Sequence, residues 1–145
     1  MSAGAGVPAG APAPAVRDTP RTPLVLVLVA IGWVTVASGA AQVLAPGFVL
    51  SLLGATDDAT AQQLFATVGM FMVVVSGLLL TTLGRPRHDP DVVLWAAVQK
   101  ALACVAVVVG VARDVFDPLA LGVAAFDLVS AALLVVHLRT LRRSS

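Results

Sequence analysis

The sequence predicts an all-α integral membrane protein, an antiparallel up-down bundle of four transmembrane helices, and three observations carry that prediction. The chain of 145 residues is 59% hydrophobic and 12% charged, with a mean hydropathy of +0.97, which leaves too few polar residues to cover a soluble core. The apolar residues fall in four runs, each close to the roughly 20 residues that cross about 30 Å of hydrocarbon as a helix. The arginines are also one-sided. Arg17, Arg21, Arg85, Arg87, Arg139, Arg142 and Arg143 flank one side of a four-span arrangement, and only Arg113 lies on the other. Positive charge in short loops stays on the cytoplasmic side, so both termini are expected in the cytoplasm of a cell with the chain spanning its plasma membrane.

Residues 1–23 are mostly Ala, Gly and Pro and hold five of the nine prolines. Such a segment can neither pack a core nor keep a helix, and it reads as a disordered cytoplasmic tail. The first span, residues 24–44, is closed by Pro46 and Gly47. Ser38, Gly39 and Ala40 would suit a signal peptidase, but the run exceeds the roughly 7 to 15 apolar residues of a secretory signal, so retention is expected. Gly32, Thr35, Ser38, Gly39 and Gln42 give this span a small or polar packing face, with Gln42 expected at the outer interface.

Residues 48–54 are apolar but too short to cross, and predict a brief helix along the outer surface ended by Gly54. Asp57 and Asp58 follow. As metal ligands they would need further carboxylates nearby, whereas Asp before a helix accepts its free N–H groups, so a cap is expected. The second span, residues 62–83, carries Gly69, Ser76 and Gly77 as contact points. The loop 84–91 contains two prolines, Arg85, Arg87 and His88 beside two aspartates; it reads as a solvated cytoplasmic turn rather than a metal site. The third span is residues 92–112, with Gln99, Lys100 and Cys104, and after a short outer turn the fourth is residues 119–138, with Asp127, Ser130 and His137. Arg139, Arg142 and Arg143 are expected to stop that helix, leaving residues 139–145 as a basic cytoplasmic tail.

Lys100 and Asp127 are the informative residues. A charge at the bilayer centre costs roughly 2.5 to 3.5 kcal/mol on insertion scales. Measured from the cytoplasmic ends of their spans, Lys100 is about 12 Å deep and Asp127 about 16 Å deep at 1.5 Å per residue. Antiparallel neighbours would bring them to similar height. Their faces are also small: Val93, Ala96, Ala97, Ala103, Cys104 and Val107 beside Lys100, and Ala120, Val123, Ala124, Ser130, Ala131 and Leu134 beside Asp127. A buried Lys100–Asp127 ion pair is therefore expected, with Gln99 and Ser130 as hydrogen-bonding neighbours, Cys104 close by, and His137 as the candidate extension of any proton path. The pair has a structural reading, fixing which helices are neighbours, and a functional one, binding a ligand or relaying protons.

Several function classes find no support. The single cysteine, Cys104, forms no intramolecular disulfide, the basic residues make no nucleic-acid-binding stripe, and no catalytic, metal or cofactor motif is present. Gly32-Trp33, Ser38-Gly39, then Ala45-Pro46-Gly47-Phe48 and the apolar stretch to Gly54 make the chain resemble the DoxX-like group of small four-span bacterial membrane proteins, over residues 24–138. The Lys100 helix and Phe126-Asp127-Leu128 are similar to features of actinobacterial relatives. The resemblance implies a four-helix bundle and, in some members, association with redox or sulfur-metabolising membrane complexes; it carries no catalytic residue over. The leading expectation is an accessory or structural subunit of a membrane complex, or a homo-oligomer, in contact with lipid. The alternatives are a small transporter or ligand-binding bundle, and a membrane isomerase or cyclase, each using Asp127 and Lys100. A raised carboxyl pKa would suit Asp127 as a general acid, but the chain contains no Glu and offers no second carboxylate at that depth.

Overall fold

A computed structural model of the chain describes residues 22–143. Residues 1–21 of the expected N-terminal tail, with Arg17 and Arg21, lie outside the described residues, as do Ser144 and Ser145, and Pro23, the last residue of that expected tail, opens the first helix. Five helices follow one another: α1 (Pro23–Leu44), α2 (Pro46–Leu52), α3 (Ala59–Leu83), α4 (Pro90–Ala112) and, after a 3₁₀ turn at Pro118–Ala120, α5 (Leu121–Arg143). The four long helical stretches are apolar enough to cross a membrane, and no strand occurs among the described residues.

Local chemistry sets the ends. Pro23, Pro46 and Pro90 open their helices, where the missing N–H is no loss and the fixed φ suits the first turn. Asp58 caps α3 by accepting from the Ala61 N–H at 2.8 Å, so α3 begins three residues before the expected 62. The Asp57 carboxylate meanwhile accepts from the Gln62 amide at 2.6 Å. Asp89 caps α4 through the Asp91 N–H at 2.9 Å. At the other end of α4, Asp114 takes a left-handed φ of 57°, and the Val115 N–H reaches back to the Gly110 carbonyl at 2.9 Å, a Schellman-type stop. Phe116 then folds over Gly110, where any Cβ would collide with its ring.

The arginines do not stop the last helix. It runs through Arg139 to Arg143, because a basic side chain in a final turn complements the carbonyl end of the helix rather than breaking it.

α1 packs along α3 and α4 along α5, and the two pairs meet more thinly through α3 with α4 and α1 with α5. Adjacent elements in the chain are thus neighbours in an up-down ring. The α1–α3 seam is built on glycine. A Cβ on Gly39 would stand 2.6 Å from the Gly69 carbonyl oxygen, and one on Gly69 2.6 Å from that of Gly39. Backbones approach this closely only where side chains are absent. Two of the expected contact residues differ: Ser38 is exposed, and a Cβ on Gly77 would meet nothing within 4 Å.

The shared core gathers at one end. Val25, Leu28 and Ile31 of α1, Leu79 and Leu83 of α3, Val93, Ala96 and Ala97 of α4, and Leu134 and Leu138 of α5 form one buried cluster, at the end that carries Arg85, Arg87 and Arg139. At the opposite end the pairs are held by α2 and the turn between α4 and α5, where the Asp117 N–H donates to the Leu53 carbonyl at 2.8 Å. Gly54 permits this approach, having a φ of 65° and leaving room for the Asp117 side chain. Elsewhere the long helices turn Leu, Val, Phe and Trp outward; Trp33 and Trp95 are 62% and 66% exposed. Surfaces so apolar on every side are suited to hydrocarbon, not water, and the protein is a multi-pass membrane protein.

Candidate functional site: a buried ion pair between α4 and α5

The small-residue faces of α4 and α5 let the two helices approach, and Lys100 and Asp127 meet between them. The Lys100 ammonium Nζ donates to Asp127 Oδ1 at 2.6 Å, and both residues are 5% exposed. The ammonium also lies 5.0 Å from the centroid of the Phe126 ring, within the distance at which a ring face attracts a cation. Phe126 precedes Asp127 on α5, so one turn of one helix supplies both the carboxylate and the aromatic face. This is the only ion pair among the described residues.

The expected neighbours are arranged differently. The Ser130 hydroxyl donates to the Phe126 carbonyl of its own helix at 2.7 Å and not to Asp127. A serine four residues along a helix reaches that carbonyl without leaving its rotamer well, and in hydrocarbon this satisfies it. Gln99 is half-buried and makes no side-chain hydrogen bond to the pair. Cys104 is free and half-buried one turn along α4 from Lys100.

His137 does not extend the pair. It is ten residues beyond Asp127, about 15 Å along the helix, and its Nε2 faces His88 Nδ1 at 2.9 Å. The rings are tilted by 51° with centroids 5.1 Å apart. His88 is therefore no solvated loop residue; it folds inward from the α3–α4 connection onto the buried His137. The connection is braced there by the Asp89 N–H donating to Thr82 Oγ1 at 2.7 Å, with Thr82 itself buried. Burial disfavours the charged imidazole and holds the His88 pKa below its ordinary 6.5, against a smaller upward effect of the Leu83 backbone. Sequence reasoning treated the two histidines separately because 49 residues separate them. The available signal was their common placement at the arginine-bearing ends of two spans.

Comparison with protein families, curated proteins and solved structures found no match. The site's chemistry therefore rests on its geometry. Two of the apolar grooves on the surface of the described residues are shallow, and neither is lined by Lys100 or Asp127. One, of about 410 Å³, lies between α1 and α3 against Trp33, Val73 and Gly77; the other, of about 260 Å³, lies at the end away from the arginines against Leu50, Phe65, Val68 and Phe116. Among the described residues, no three His, Cys or Asp side chains converge as a metal-binding group would. What the pair can do with these surroundings is neutralise itself and hold α4 to α5 at a fixed register.

Proposed function

We propose that the protein is a non-catalytic component of the plasma membrane with both termini in the cytoplasm, acting as an accessory or structural subunit of a membrane complex or as a self-associating bundle. The observation that carries this reading is the closed Lys100–Asp127 pair, in which each mid-membrane charge is engaged by the other and the Lys100 ammonium also lies over the Phe126 ring. A transporter or enzyme built on Asp127 needs that carboxylate to face a ligand or a proton path. The one-sided arginines support the orientation, and the resemblance to DoxX-like proteins is in keeping with an accessory role.

The test replaces both charges together, Lys100→Met with Asp127→Leu, in the native membrane. If the pair is structural, the folded double variant keeps the wild-type apparent mass on native gels and the wild-type cellular phenotype. A double variant that is folded and assembled yet has lost the phenotype would contradict the proposal and favour the ligand-binding or proton-transfer alternatives.

A further inference from the structure

We propose that His88 and His137 form a proton-operated latch at the arginine-bearing end of the bundle, closed while at most one ring is charged and opened when both are. The geometry sets this limit. With His88 Nδ1 and His137 Nε2 2.9 Å apart, the two facing nitrogens have room for one hydrogen between them. In the neutral state one ring donates and the other accepts. A first added proton goes to the far nitrogen of the donating ring, since the far nitrogen of the accepting ring already carries its hydrogen, and leaves that bond in place with a charge on it. A second proton puts N–H against N–H, and the rings must part.

The contact is well placed to matter. His88 sits on the α3–α4 connection and His137 on α5, so the bond ties a loop to the end of the last helix across the shared core. The elements meeting there also carry charged groups. The connection and the first turn of α4 bring Arg85, Arg87, Asp89 and Asp91, α5 brings Arg139, Arg142 and Arg143, and the described parts of α1 and α3 bring none. Asp89 accepts from the first N–H groups of α4, and among these groups the five arginines outnumber the two aspartates.

The experiment is hydrogen exchange on the full chain in lipid nanodiscs, following the Asp89 and Val93 amides from about pH 7.5 to pH 5, with rates corrected for the intrinsic pH dependence of exchange. Opening linked to one proton raises the open population by up to about tenfold per pH unit. Wild type is expected to show that rise, and His88→Gln, which keeps a polar side chain without titrating, is expected to show none. Equal pH profiles in the two proteins would overturn the latch. A second measurement on wild type alone uses ¹⁵N-labelled histidine: the second ring is expected to protonate together with the loss of amide protection. Both rings fully protonated with protection intact would also overturn it.

Discussion

Lys100 and Asp127 sit at a depth where a lone charge is costly, and each removes the penalty the other would carry. Truncating one partner of a buried pair leaves an uncompensated charge, which costs more than the pair itself contributes. The same logic runs in the opposite direction at His88. Its pKa is held below 6.5 by burial, so the unfolded chain takes up a proton at a higher pH than the folded one. Stability is therefore full above about pH 6.5 and falls as the pH drops from 6.5 toward the folded-state value. Unfolding of wild type and His88→Gln in bicelles should show a loss as the pH falls below about 6.5 in wild type that the variant lacks; matching curves would mean that His88 is solvated. Of these two pairs, only the first was legible in the sequence. A charge inside an apolar run announces itself, whereas a histidine among prolines and aspartates looks solvated until the fold turns it inward. Ser130 was misread for a related reason: pattern alone does not say whether a hydroxyl reaches across to a partner helix or back to its own carbonyl.

At the level of elements, the two strongly packed pairs use different means of approach. α4 and α5 come together on alanines around the ion pair, while α1 and α3 meet backbone to backbone at Gly39 and Gly69. Gly69→Leu must displace the Gly39 carbonyl or the Gln42 Cβ, 2.6 and 2.7 Å from the added carbon. It is expected to destabilise the fold by about 1 to 3 kcal/mol, the usual range for overpacking. Gly77→Ala, which adds a methyl facing open space, should leave stability unchanged within about 0.5 kcal/mol. Steric-trap unfolding of both variants checks the contrast, and equal losses would show that glycine content, not close approach, governs the seam. All three glycine and serine positions in α3 looked equivalent in the sequence, since small residues mark a packing face without saying which of them is at the contact. The cap at Asp58 was legible in the sequence but the helix start it sets was not, since α3 begins three residues before the expected 62, and a run of arginines did not mark a helix end.

Across the whole molecule, the tight core lies at the arginine-bearing end and the opposite end is closed by short elements, α2 and the Asp117 turn. The membrane-facing shell is apolar throughout, so hydrophobicity by itself does little to choose helix neighbours in lipid. Small faces and the single internal charge pair supply that choice. A four-span bundle was readable from hydropathy and charge bias, but the division into two closely packed pairs was not, because it depends on backbone contacts at particular glycines. The central claim is that Lys100 and Asp127 stabilise the bundle only through each other. A double-mutant cycle with Lys100→Met, Asp127→Leu and the combined variant, read as unfolding free energy in bicelles, tests it most directly. The account predicts that each single change costs about 3 to 5 kcal/mol and that the double variant recovers most of that loss; losses that simply add would contradict it.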